Sequence, residues 1–244
     1  MVKFHKKREF MRLDEYLFEK GYVTSRNKAK ELIKNKKIKV NGKTVTKPSL
    51  KVDNPDIEIM QKVYVSRAAW KLKNYLDKYN ISFENKSVID VGSSTGGFSE
   101  VALEKGAKKV VCVDVGNNQL HSKIRQNPKV EVYENTDIRD FEYDSKFDIL
   151  VSDVSFISLL KIFDKLSSLS DEMILLFKPQ FEVGKDVKRD KRGVVIDKEA
   201  IDKARENFEN YISKKFEILR SEESSIKGKE GNIEYIYHLR RKVD

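Results

Sequence analysis

The 244-residue chain carries 49 Lys+Arg against 39 Asp+Glu, a net charge of +10, with 39% hydrophobic and 36% charged residues. That composition builds a core beneath a very polar surface, and no run approaches the roughly 20 apolar residues that a membrane helix requires. A single cysteine, Cys112, excludes an internal disulfide framework, and with three scattered histidines it excludes a zinc site of the usual kind. No metal is expected, and a reducing, cytoplasmic setting is.

Residues 1–10 hold no apolar stretch of signal-peptide length and read as an extension. Residues 1–60 hold 16 Lys+Arg against 8 Asp+Glu, whereas the other 184 hold 33 against 31. A basic first quarter on a near-neutral remainder points to a polyanionic partner. From Met11, apolar Leu13, Tyr16 and Leu17 recur at helical spacing, with Gly21 as a stop. Thr24 or Ser25 then caps a second helix, Arg26 to Asn35, whose Ala29, Leu32 and Ile33 share a face. Ile38-Lys39-Val40, the turn Asn41-Gly42 and Thr44-Val45-Thr46 read as a β-hairpin. Residues 11–60 thus form a small unit of two helices and a hairpin, with a linker over 61–65.

That order, carried by Arg12-Leu13-Asp14, Ser25-Arg26 with Ala29 and Leu32-Ile33, Val40-Asn41-Gly42 and Lys47-Pro48-Ser49, resembles the S4 RNA-binding domain. The resemblance implies a basic face on structured RNA made by Arg12, Arg26, Lys28, Lys34, Lys36 and Lys37. Solvated lysines on a helix face are the plainer alternative, which these spacings disfavour.

Residues 66–244 alternate strands and helices. After a helix around Arg67–Leu76, strands are expected at Ser87–Val91, Lys109–Asp114, Val130–Tyr133, Phe147–Val151 and Met173–Phe177. Phe216–Arg220 and Ile233–Leu239 would add edge strands. Short apolar runs separated by helices indicate an α/β, doubly wound, Rossmann-like sheet. Asp90-Val-Gly92-Ser93-Ser94-Thr95-Gly96-Gly97-Phe98 sits where the first strand turns into its helix, and Asp114 ends the next, where an acid can meet ribose hydroxyls. The spacing fails the Gly-x-Gly-x-x-Gly dinucleotide template. An acid before Gly92 suits a ligand with an amino acid portion and no phosphates, which describes S-adenosylmethionine. Asp137 is placed to meet the adenine, or else caps a helix.

The fourth strand ends in Ser152-Asp153-Val154-Ser155-Phe156, without the Asn/Asp-Pro-Pro-aromatic turn of base amino methyltransferases. Cys112 lies mid-strand, as a core residue does, which disfavours attack at a pyrimidine C5. A ribose hydroxyl must lose its proton as it attacks a methyl group; a lysine can assist if its own pKa is lowered, with carboxylates positioning the amines. Lys71, Asp153, Lys178 and Glu234 are the candidates, the last three at or near strand ends that converge on the ligand crevice.

Ser66-Arg67-Ala-Ala-Trp70-Lys71, Gly92–Phe98, Asp153–Ser158, Lys178-Pro-Gln-Phe-Glu-Val-Gly-Lys185 and Gly231-Asn-Ile-Glu-Tyr235 resemble the TlyA family of S4-domain ribosomal RNA 2′-O-methyltransferases, also called haemolysin A and related to FtsJ/RrmJ. The match runs from about Met11 to Leu239. The resemblance implies a Lys-Asp-Lys-Glu tetrad at Lys71, Asp153, Lys178 and Glu234, with Lys178 the base. It also implies a cytidine ribose in large-subunit RNA as target, small-subunit RNA as a second in longer members, and an effect on antibiotic susceptibility. Lys185, Lys188 and Arg189, in a basic segment after Lys178, and Arg67 are candidates for RNA phosphates; the segment could equally be a solvated loop. Trp70 reads as packing or as a base-stacking ring. Three rivals stand beside this reading: a ribosome-binding protein with a non-catalytic methyltransferase fold, a pore-former, and a pseudouridine synthase.

Overall fold

The computed structural model describes residues 10–243, so the expected extension lies, but for Phe10, outside the described residues. The chain divides between Val63 and Tyr64 into two compact units.

In the first unit, β1 (Met11–Arg12) pairs antiparallel with β4 (Lys51–Val52), and β2 (Ile38–Val40) lies between β3 (Lys43–Thr44) and β5 (Ile57–Ile59). Helices α1 (Leu13–Glu19) and α2 (Arg26–Lys34) bury Leu13, Leu17, Ala29, Leu32 and Ile33 against Ile38 and Val40. Ser25 Oγ accepts the Lys28 amide at 3.1 Å and starts α2, a cap worth about 1 kcal/mol. Asn41 and Gly42 both take positive φ, +49° and +75°, the conformation that a two-residue hairpin turn of right-handed twist demands.

In the second unit one seven-stranded sheet runs in the order β11-β12-β10-β9-β6-β7-β8. Its strands are β6 (Ser87–Val91), β7 (Lys109–Val113), β8 (Val130–Tyr133), β9 (Ile149–Ser152), β10 (Glu172–Phe177), β11 (Phe216–Glu223) and β12 (Tyr235–Arg241). The first five are parallel, and β12 runs antiparallel to both neighbours. Alternate side chains fill two cores, as the pleat requires. Ile89, Val91, Leu175 and Phe177 face α5 (Leu159–Leu169) and α6 (Lys198–Ile212), while Val88, Val151, Ile174 and Leu176 face α3 (Ala69–Lys78) and α4 (Gly97–Glu104).

Two expectations are corrected. The strand over Ile233–Leu239 is not an edge: β12 lies between β10 and β11, and its run of five buried residues, Tyr235–Leu239, reflects cover on both faces. Tyr64 and Val65, expected in a linker, are buried in the second unit. Tyr64 Oη donates to Glu104 at 2.6 Å, and the Val65 amide donates to the buried Glu100 at 2.7 Å.

Candidate active site

The carboxyl ends of β6, β7, β9 and β10 lie along one edge of the sheet. The β10–β12 register pairs Phe177 with Tyr235. Because β12 runs backwards, the residue before it, Glu234, falls beside the residue after β10, Lys178. Asp153 follows β9 directly, and α3 supplies Lys71 from one face of the sheet.

Four side chains from four elements therefore meet in burial. Their side-chain exposures are 7% for Lys71, 12% for Asp153, 8% for Lys178 and 3% for Glu234. Lys71 Nζ lies 2.6 Å from Glu234 Oε2 and 3.5 Å from Asp153 Oδ2; Lys178 Nζ lies 2.6 Å from Asp153 Oδ1. Signs alternate along the row Glu234–Lys71–Asp153–Lys178, so two cations balance two anions where unpaired charge would be costly. Lys178 Nζ also donates to Ser155 Oγ at 2.8 Å, and Gln180 Nε2 reaches Glu234 Oε1 at 3.5 Å.

Beside this row two cavities share Gly92, Ser94, Asp153 and Ser155. The larger, about 470 Å³, is lined by Asp114, Val115, Gln119, Asp137, Ile138 and Phe156 among others. The smaller, about 180 Å³, is lined by Ser66, Asp90, Ser93, Thr95, Gly97, Phe98 and Lys178 among others. At Gly92 (φ +78°) a Cβ would stand 3.0 Å from Val154, so glycine lets the β6 turn close on the β9 loop. Gly96 lines neither cavity; it starts α4 with φ +91°, and a side chain there would strike Leu120 and Ile124.

Asp90 is buried, and desolvation pushes its carboxyl up to about 7 against the pull of the Ser99 hydroxyl, which donates to it at 2.5 Å. Its Oδ1 has no hydrogen-bond partner among the described residues. Asp114 accepts the Ser94 and Gly116 amides at 2.8 and 2.7 Å. Asp137 both lines the cavity and makes a turn: Arg139 holds its pKa down at about 2 through guanidinium and amide. Glu134, held at about 2 by Arg125, accepts the Gln119 and Leu120 amides and fixes that wall. Cys112 is buried in β7 against Ser99, its thiol pushed up to about 12 by burial.

The remaining sequence candidates are dispersed. Arg12, Arg26, Lys28, Lys34, Lys36 and Lys37 all belong to the first unit, where Lys34 and Lys36 are exposed and Lys28 pairs with Glu31 at 2.7 Å. Arg67 donates to the Lys227 carbonyl at 3.0 Å. Lys185 and Lys188 are exposed, whereas Arg189 donates to the Gln180 carbonyl at 3.3 Å and bridges Val195. Asp190 closes that turn by accepting the Arg192 and Val194 amides. Trp70 packs edge-on against Tyr64, ring centroids 4.9 Å apart.

Sequence reasoning missed four site residues. Ser155 holds Lys178. Phe156 is 91% exposed at φ +65°, a strained backbone for an aromatic residue, with its ring 5.2 Å from Phe181. Glu182 ties the turn after Lys178 to the loop after Asp153: Ser158 Oγ donates to it at 2.6 Å and the Leu159 amide at 2.7 Å, while burial raises its pKa. Gly228 lies against Glu234, whose Oε1 a Cβ at 228 would approach to 2.7 Å. Ser155, Phe156 and Glu182 lie inside the stretches Asp153–Ser158 and Lys178–Lys185 but were given no role there, and Gly228 is the first glycine of Gly228-Lys-Glu-Gly231 ahead of Glu234.

A parallel sheet closed by an antiparallel β12, a glycine turn after β6 and a charged row at the strand ends define a Rossmann-like methyltransferase. The FtsJ-like methyltransferase family matches residues 64–241, and the S4 domain matches residues 11–57. The chain belongs to the FtsJ-like methyltransferase family, and it carries an S4 domain in front. It is 45% identical to the 23S rRNA (cytidine-2′-O)-methyltransferase TlyA of Campylobacter jejuni, over 93% of this chain and 98% of that one. Against the 16S/23S rRNA (cytidine-2′-O)-methyltransferase TlyA of Mycobacterium tuberculosis it is 34% identical, over 96% and 91%. A solved structure from Streptococcus thermophilus, bearing a hemolysin name, superimposes with a TM-score of 0.70 at 32% identity, over 96% of this chain and 90% of that one. Among the described residues no helix is long and apolar enough to cross a membrane, and no group of three or more His, Cys, Asp or Glu could hold a metal ion.

Proposed function

We propose that this protein methylates the ribose 2′-hydroxyl of a cytidine in large-subunit (23S) ribosomal RNA, in the cytoplasm, with S-adenosylmethionine as methyl donor. The observation that carries the reading is the buried row Glu234–Lys71–Asp153–Lys178 beside a glycine-turn cavity.

The residues present fit the donor. The unpartnered Asp90 Oδ1 and the β6 turn, Gly92–Phe98, suit an amino acid portion with its ammonium and carboxylate. Asp114 suits ribose hydroxyls, and Val115, Asp137 and Ile138 suit an adenine. Asp153 and Ser155, shared by both cavities, border the place between these portions. Bound there, S-adenosylmethionine supplies a methyl group on a positively charged sulfur.

The chain's own residues then manage the proton. Lys178 Nζ, held by Asp153 Oδ1 and Ser155 Oγ, receives the 2′-hydroxyl proton as the ribose oxygen attacks, which requires that the amine has first released its own proton. Asp153 orients that amine, and Lys71, locked between Asp153 and Glu234, keeps the carboxylate turned toward it. Exclusion of water strengthens each of these contacts. Phe156 offers an exposed ring on which an unstacked base can lie, and Lys185, Lys188 and Arg67 supply cations for neighbouring phosphates.

The test is tritiated methyl transfer from S-adenosylmethionine to purified large and small ribosomal subunits by wild type and Lys178→Ala. Label in large-subunit RNA, at a nucleotide whose linkage becomes alkali-resistant, and its loss in the variant are expected. Label in small-subunit RNA alone overturns the substrate assignment. Absence of label from both subunits and from free RNA, with donor binding intact, overturns the reaction.

A further inference from the structure

Asp14 is the second residue of α1, and its carboxylate is fully buried in a unit whose net charge is positive. Its backbone is fixed independently: the Asp14 amide donates to the Pro48 carbonyl at 3.0 Å, and the Leu13 amide to Leu50 at 2.7 Å. A buried carboxylate is costly unless cations meet it, and here three do. Arg12 donates Nε to Oδ1 at 3.0 Å and Nη2 to Oδ2 at 3.2 Å. Arg26 Nη2 donates to Oδ2 at 3.5 Å while its Nη1 reaches Glu15 at 3.5 Å, and Lys30 Nζ lies 3.9 Å from Oδ2. Burial alone raises the Asp14 pKa, but Arg12 and then Arg26 outweigh it and hold the carboxyl below its ordinary range.

The arrangement is lopsided. The acid is buried completely, yet the cations it holds remain 42–43% exposed. A pair that served only the core would bury both partners. Arg12, Arg26 and Lys30 against Asp14 and Glu15 leave one net positive charge. A guanidinium has five N–H donors, and the carboxylate occupies two of Arg12's, leaving the Nη1 side available to a second anion. An arginine side chain fixed beforehand loses less entropy when it binds a phosphate.

We infer that Asp14 is a positioning residue for ribosomal RNA: its buried carboxylate holds the guanidiniums of Arg12 and Arg26 as a fixed pair of forks for phosphate oxygens. This rests on the proposal that the first unit binds ribosomal RNA, and it adds the residue through which the two arginines act. The sign of the effect separates positioning from charge. Asp14→Asn removes a negative charge, so electrostatics alone would strengthen binding to any polyanion.

The full-length protein is tested for filter binding to large ribosomal subunits and to poly(U), and for methyl transfer at varied subunit concentration. Arg12→Ala and Arg26→Ala are expected to weaken subunit binding. Asp14→Asn is expected to raise the subunit KM roughly tenfold with kcat unchanged, while poly(U) binding tightens. Adding Asp14→Asn to the double variant Arg12→Ala/Arg26→Ala is expected to lose little more, because the carboxylate acts through the two arginines. Arg12→Lys keeps the charge but not the fork, and is expected to lose nearly as much as Arg12→Ala; this arm stands even where Asp14→Asn fails to fold. Subunit binding by Asp14→Asn or Arg12→Lys at wild-type strength, with Arg12→Ala and Arg26→Ala impaired, overturns the inference alone. Wild-type binding by both alanine variants overturns the RNA-binding reading and the inference with it.

Discussion

Each unit of this chain sets cations against carboxylates, and the two do so in opposite ways. Around Asp14 only the acid is buried and the cations stay 42–43% exposed, whereas in the row Glu234–Lys71–Asp153–Lys178 every member is 12% exposed or less. Half-exposed guanidiniums can still take a phosphate, at an energy that salt readily screens. Buried ammoniums have little freedom to reach outward, but their contacts act at low dielectric, where a proton shift is strongly coupled to its neighbours. Under the proposed function the difference is a division of labour: one cluster would hold a polyanion, and the other would move a proton.

Substitutions that separate affinity from turnover sharpen that division. Lys178→Met keeps the aliphatic stem and removes the amine; kcat is expected to fall about a thousandfold, within the range for loss of general-base catalysis, with donor binding retained by calorimetry. A matching fall in donor affinity would place Lys178 in binding and break the comparison. Gly228→Ala acts at one remove, because its Cβ would crowd Glu234 Oε1 and push the carboxylate off Lys71. Misplacement on the scale of an ångström costs about a hundredfold, so a fall in kcat of that order is expected, with subunit KM nearly unchanged. A smaller effect belongs to the first unit. Raising salt should weaken subunit binding steeply in wild type, and Arg26→Ala should lower the slope of log K against log salt by about one phosphate contact. A slope that Arg26→Ala leaves alone would show that this guanidinium meets no phosphate.

How much of this could be read from residues alone follows from the range of each interaction. The hairpin at Asn41-Gly42, the Ser25 cap and the five parallel strands are set by neighbours in sequence, and they were legible there. Lys71, Asp153, Lys178 and Glu234 could be named as candidates, three of them from strand ends. Their meeting depends on pairing Phe177 with Tyr235 across some sixty residues, and no local pattern encodes that register. The same gap hid the interior place of β12. Ser155 and Glu182 matter only through partners distant in the chain, Lys178 and the Ser158–Leu159 turn, whereas Gly228 acts on a near neighbour, Glu234, through a close approach that a sequence does not display. Phe156 was hidden for another reason, since an exposed aromatic at positive φ looks in sequence like any core phenylalanine.

The last effect concerns Asp90, a buried acid beside the row that meets a hydroxyl rather than a cation among the described residues. Asp90 titrates near neutrality because burial opposes its charge, with Asp153 adding to the rise and the Ser99 hydroxyl opposing it. Its native pKa, about 7, stands above the ordinary 3.8, so the native state keeps a proton that the unfolded chain releases. Stability from this group is therefore complete below about pH 4 and is lost progressively as pH rises toward 7. Asp90→Asn can still accept from Ser99 through its amide oxygen, yet it carries no charge to bury at any pH. The margin of the donor-free variant over wild type should widen by several degrees from pH 5 to pH 8, the linkage being worth up to a few kcal/mol. The row cannot produce that pH dependence in the variant comparison, since its members are common to both proteins. A gap between the two melting curves that stays constant from pH 5 to pH 8 would mean that Asp90 keeps its charge throughout, and that the dryness of the row does not extend to this acid.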